Sequence, residues 1–459
     1  MKTAAALLLA GFALSSAAQS LPPEKALARE IYKQLIEINT TDSSGDNTAA
    51  AEAMAARLKA AGFPDADVRV LFPAPRKGNL VARLRGTGAR RPLLLLAHLD
   101  VVEAKREDWS FDPFVFREQD GYFYGRGTTD DKAMAAILVA NLVRYKKEAF
   151  RPERDLILAL TADEEGGNWN GAEWLVKNHR DLIDAELGVN EGGGGQIKDG
   201  RKVANTVQAS EKIYASFRLE VTNPGGHSSL PVPENAIYRL AEGLTRIARF
   251  RFPPHLNEVT RAFFTRAAET TTGDEAAAMR AVLKEPVDAA AADRLSQRPF
   301  YNSLLRTTCV ATQLAGGHAE NALPQLARAT VNCRVLPDES PDAVQKTLVK
   351  ALADEKISVT PVQPARPSPP SPLTPAVMGP IERITQAMWP GVPVVPVMST
   401  GATDALYLRS VGIPIYGVDG IFGDIDDIRA HGRDERMAVS SFDEGQEFLY
   451  HLVKALASR

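Results

Sequence analysis

The run Leu93-Leu94-Leu95-Leu96-Ala97-His98-Leu99-Asp100 is continuously apolar until it meets an imidazole and, two residues later, a carboxylate. It is too short to cross a bilayer and reads as a strand buried on both faces, which requires a sheet covered on both sides. Side chains two residues apart on a strand point the same way, so His98 and Asp100 can both face the space beyond its carboxyl end. Open α/β sheets bind ligands at that edge. Val68 to Leu71, Asn79 to Leu84 and Leu156 to Thr161 add further strands. Ala133 to Tyr145 predicts a helix, and Glu24 to Ala61 predicts two helices around the turn-like Thr41-Asp42-Ser43-Ser44-Gly45. The alternation implies an α/β domain with a mostly parallel sheet.

Near Ser210 the pattern changes. Ile213 to Val221 alternates like a half-exposed strand, and a helix is predicted from Glu234 to about Arg249. Strands around Thr307 to Leu314 and Ala327 to Leu336, a helix from Pro341 to Lys356 and a strand from Ile357 to Val362 complete a β-α-β-β-α-β unit. The prolines of 364–375 suggest a linker back to the first domain. At 459 residues the chain exceeds one ordinary core. The expected division is a signal peptide over 1–18, a catalytic domain over 19–209 and 364–459, and an inserted lid over 210–363. Phe250 to Ser303 is a long insertion to which the pattern gives no role.

Lys2, the apolar stretch Ala4 to Leu14 and the small residues Ser16-Ala17-Ala18 read as a secretory signal, so the mature protein is expected to be exported, periplasmic or secreted. After cleavage no membrane association is expected. With 54 Lys+Arg against 57 Asp+Glu, the net charge of -3 provides no basic field for nucleic acid. Cys309 and Cys333 are the two cysteines, so any zinc must be held by His and carboxylates. They lie in strands expected to form a hairpin, where an exported protein permits but does not require a disulfide.

Three more acid groups follow His98 and Asp100. Gly125-Arg126-Gly127-Thr128-Thr129-Asp130-Asp131 precedes a predicted helix, where an Asp alone would serve as an N-cap. Thr161-Ala162-Asp163-Glu164-Glu165 ends an apolar strand with adjacent glutamates whose repulsion a cation would relieve. Val189-Asn190-Glu191 repeats the arrangement, and His431 adds a second imidazole near the end of the chain. His98, Asp130, Glu165, Glu191 and His431 make a hard-to-borderline donor set suited to zinc. Glu164 remains beside a ligand, the position a general base requires.

These ordered motifs resemble the di-zinc metallopeptidase family of glutamate carboxypeptidases, carnosine dipeptidases, aminoacylases and succinyl-diaminopimelate desuccinylases. The resemblance covers nearly the whole mature chain. It implies two zinc ions per subunit, with Co2+ or Mn2+ as other candidates. His98 and Glu165 would sit on separate ions, Asp130 would bridge them, Glu191 would join one and His431 the other. It further implies that Asp100 orients His98, that a cis peptide follows Asp130, and that Glu164 acts as base and then acid.

In the lid, Pro224-Gly225-Gly226-His227-Ser228-Ser229 resembles the family loop whose His reaches across a dimer interface to the partner's active site. Asn321 and Arg334 match positions that bind the substrate carboxylate. Ser399-Thr400-Gly401-Ala402-Thr403-Asp404 resembles a substrate loop in which Gly401 allows close approach, while Asp404 could simply cap the following helix. The expected activity is hydrolysis of an amide beside a free carboxylate, of the carboxypeptidase or dipeptidase type, on a small peptide. N-acyl amino acid or ureido-compound hydrolysis is the alternative within enzymes. A catalytically inactive exported zinc- or peptide-binding protein is the alternative outside them.

Overall fold

The computed structural model describes residues 21–458; the expected signal segment lies outside them. Its ten-stranded sheet has, at the centre, Arg154–Thr161, Arg90–His98, Leu187–Asn190 and Ile415–Gly417, side by side and parallel. Antiparallel neighbours flank this block, Asn79–Leu84 on one side and Arg201–Glu211 on the other. The two-residue period of the central strand shows in its burial. Leu93, Leu95 and Ala97 pack with the helices Pro23–Glu37, Lys132–Lys147 and Val439–Ala457, whereas Leu94 and Leu96 pack beneath Gly171–Asn178 and Ala405–Arg409. An apolar strand with no alternation in its sequence is therefore one with a core on each side.

The second sheet has four antiparallel strands in the spatial order Thr308–Gly316, Leu326–Val335, Ile213–Thr222 and Ser358–Pro361. Helices Ala236–Arg249 and Pro341–Leu352 cover one face, burying Phe217, Leu219, Leu240, Val331 and Leu348. The opposite face is open and carries Arg218, Arg328 and Arg334 on alternating positions. Cys309 and Cys333 stand directly opposite on neighbouring strands and are joined by a disulfide.

Two sequence expectations need correction. The insertion, assigned with the lid to 210–363, docks on the catalytic side: Val259, Phe264, Met279 and Leu295 join the core of the large sheet. Its helix Glu258–Thr270 lies along the strand Val394–Ser399. Helical periodicity marks which face of a segment is apolar but not which surface it will cover. The proline-rich return segment, expected as a linker, is irregular yet fixed: Ser368 and Ser371 are buried, and the Ser371 N–H donates to the Ala209 carbonyl at 2.7 Å.

All four tryptophans, Trp109, Trp169, Trp174 and Trp389, lie outside the lid and the insertion. Phe264→Ala should therefore lower stability in the urea transition followed by tryptophan fluorescence, by about 3–5 kcal/mol for a buried aromatic truncated to alanine. An unchanged transition would show that the insertion does not belong to this core.

Candidate metal centre

Loops leaving the carboxyl ends of the parallel strands bring the predicted ligands together. His98, Asp130 and Glu191 form one group and Asp130, Glu165 and His431 a second; within each, the ligand atoms lie within 4.8 Å of one another. Asp130 divides its carboxylate between them, with Oδ1 2.9 Å from His98 Nε2 and Oδ2 3.1 Å from His431 Nε2. His431 Nε2 is also 2.8 Å from Glu165 Oε1. The peptide between Asp130 and Asp131 is cis. Asp131 occupies the position where a cap was the simple reading, but its side chain makes no capping hydrogen bond and instead accepts from the His98 N–H at 3.3 Å.

The electrostatics are those of acids crowded in a partly dry place. Burial pushes Glu164 up to about 10, with Asp404 and Glu191 adding to the rise against the pull of His98. Burial, and then the charge of Asp130, carry Glu165 to about 7. Burial also raises Glu191. Burial opposes charge on His98, yet its contacts with Asp100 and Asp130 hold its pKa above the usual value. The hydrogen bond to Asp130 heads the causes that bring His431 to about 9. Divalent cations relieve this kind of like-charge crowding. Two imidazoles and three carboxylates, with both cysteines committed to a disulfide, fit zinc or a neighbouring divalent metal.

The residues behind the ligands differ in part from expectation. His98 Nδ1 lies 3.0 Å from the Asp100 backbone carbonyl, while the Asp100 carboxylate is 3.6 Å away. That carboxylate also accepts the N–H groups of Glu164 at 3.1 Å and Glu165 at 2.9 Å, fixing the acid loop. Glu435 escaped the sequence reading. Fully buried, it accepts from Thr129 N and Oγ1, each at 2.7 Å, from Gly127 N at 3.1 Å and from Arg126 Nη1 at 2.7 Å. It thereby shapes the loop that presents Asp130. Asp404 stands at a helix start without capping it; its oxygens accept from Thr161 Oγ1 and Asn170 Nδ2, both at 2.7 Å, and burial raises it to about 6.

The lid candidates separate. Arg334, over the Tyr214 ring at 4.8 Å, is at the end of its sheet where the chain enters from the strand Arg201–Glu211, in register with Tyr214 and Thr308. His227 pairs with Ala322 at the far end, and the Ser228 N–H donates to the Asn321 carbonyl at 2.9 Å. The strand from Leu326 to Arg334 spans roughly 27 Å. Asn321 and Arg334 of one chain therefore do not meet on one carboxylate. His227 is exposed, with Nδ1 2.7 Å from Ser229 Oγ. Gly401 is exposed and donates its N–H to Ser399 Oγ at 3.0 Å.

A model of Peptidase family M20/M25/M40 matches residues 94–455. The human N-fatty-acyl-amino acid synthase/hydrolase is 28% identical over 375 residues, 79% of this chain and 74% of the relative. Rat aminoacylase-1A is 26% identical over 447 residues, 93% of this chain and 95% of the relative. Among solved structures, an M20 family metallo-carboxypeptidase from Sulfolobus solfataricus superposes with a TM-score of 0.67 at 17% identity, covering 94% of this chain and 99% of the other.

Ligation requires neutral imidazoles and ionised carboxylates, whereas both histidines and Glu165 hold their protons to higher pH than usual. Metal uptake should therefore release protons, and affinity should rise by roughly tenfold or more from pH 6 to pH 8. Calorimetric titration with zinc in buffers of different ionisation enthalpy measures both; affinity independent of pH would contradict the assigned donors.

Proposed function

The chain belongs to peptidase family M20/M25/M40 and is a hydrolase of peptide or amide bonds; on that premise we propose that it is a two-zinc enzyme cleaving an amide beside a free carboxylate. The observation that carries the reading is Asp130, shared between two ligand groups, while Glu164, which feels the charges of His98, Glu191 and Glu165, belongs to neither. Relatives named as a fatty-acyl-amino acid hydrolase, an aminoacylase and a carboxypeptidase favour small substrates of the N-acyl amino acid or peptide kind. These classes share an amide adjacent to a carboxylate.

In this reading His98, Asp130 and Glu191 would hold one ion, and Asp130, Glu165 and His431 the other. Bound there, zinc would supply Lewis acidity to the carbonyl and acidify water. Glu164 takes the proton of the attacking water and returns it to the leaving amine. Asp100 keeps the backbone of that glutamate in place through its N–H. Arg334 pairs with the substrate carboxylate by a forked, charge-assisted contact. His227, remote from Arg334 along the lid, stabilises the oxyanion in the partner subunit's site, so the working unit is a homodimer. Export belongs to the same proposal, supported by the sequence of residues 1–18 and by the Cys309–Cys333 disulfide.

Glu164→Gln should keep its zinc yet lose at least about 100-fold in turnover on N-acyl amino acids and dipeptides. Mixed with inactive His227→Ala subunits, it should regain roughly a quarter of wild-type activity, because half of the dimers carry one intact site. Zinc loss on Glu164→Gln would make that residue a ligand. Absence of complementation in proven hybrids would remove His227 from the partner's site.

A further inference from the structure

At the opposite edge of the large sheet from the metal centre, where the parallel strands begin, lies a cavity of about 390 Å³. The same strand that ends at His98 begins there with Arg90, and the one that ends at Thr161 begins there with Arg154. Arg154 is fully buried, and its Nε and Nη1 have no hydrogen-bond partner among the described residues. Its Nη2 lies 3.3 Å from Glu186 Oε2, but Glu186 Oε1 already accepts from Arg90 Nη2 at 2.9 Å. Arg383 adds a third guanidinium to the lining, in which Glu186 is the one acid among the described residues. Among these residues, three cations thus face one carboxylate. A buried guanidinium with unmade hydrogen bonds is costly unless an anion or water supplies acceptors, and its fork suits a carboxylate.

The remaining wall is mostly apolar, with Pro375, Val377 and Leu456 among its residues and hydroxyl groups from Thr374, Tyr416 and Ser458. Inorganic ions gain nothing from such a surface; an organic anion with a hydrocarbon body does. We infer that this cavity binds a small organic carboxylate, head toward Arg154 and Arg383 and apolar body against the prolines and Val377, as a second site separate from the metal centre. The arrangement does not depend on which amide the enzyme cleaves.

The test is calorimetric titration of the zinc-loaded protein with octanoate, and separately with inorganic phosphate. It uses wild type, Arg383→Ala, Arg154→Gln, and Arg334→Ala to remove the carboxylate contact proposed for the active site. Octanoate binding should persist in Arg334→Ala and weaken by roughly tenfold or more in Arg383→Ala. The Arg383→Ala protein, whose substitution lies at the cavity rim, should keep kcat/KM within about twofold of wild type, so its loss of binding does not depend on whether Arg154→Gln folds. No octanoate binding at millimolar concentration, binding lost in Arg334→Ala but retained in Arg383→Ala, or phosphate bound as tightly as octanoate would each overturn the proposal.

Discussion

The carboxylate of Asp130 faces two imidazoles at once, and much of the molecule is organised around making that possible. Its loop must turn sharply between a glycine-rich approach and the helix Lys132–Lys147, and the buried Glu435 supplies the acceptors that fix the turn. Arg126 balances the charge of Glu435 in the same buried place. Asp100 does the equivalent for the Glu164–Glu165 backbone. Charged groups held this way are specific but costly to leave half-paired, so the acid loops are positioned by other acids rather than by packing alone.

The ligands were legible because each interrupts a strong pattern. A charged residue at the end of a run such as Leu93 to Ala97 has no place in a core and must face a functional edge. The order of these interruptions carried the family resemblance, and the structure brings those side chains into two groups that share Asp130. Glu435 and Asp404 interrupt nothing: each lies in an irregular segment where an acid is unremarkable, and their burial comes only from tertiary packing. Asp404 also looked like a cap, and only the neighbouring Thr161 and Asn170 show where its oxygens go.

Relations between segments were less legible than the segments themselves. The β-α-β-β-α-β order of the lid follows from periodicity, but the docking of the insertion against Val394–Ser399 depends on surfaces far apart in sequence. The same limit explains Arg334 and Asn321. They are thirteen positions apart, yet an antiparallel sheet carries them to opposite ends, the first opposite Tyr214 and the second beside His227. A long strand separates what sequence distance suggests is close.

One carboxylate, that of Asp130, joins the two ligand groups. Anomalous diffraction from crystals of the zinc-loaded protein, recorded on both sides of the zinc absorption edge, tests it most directly. Two zinc peaks are expected, one against His98 and Glu191 and one against Glu165 and His431, with an oxygen of Asp130 on each. A single peak, or two peaks of which either lacks Asp130, would contradict it.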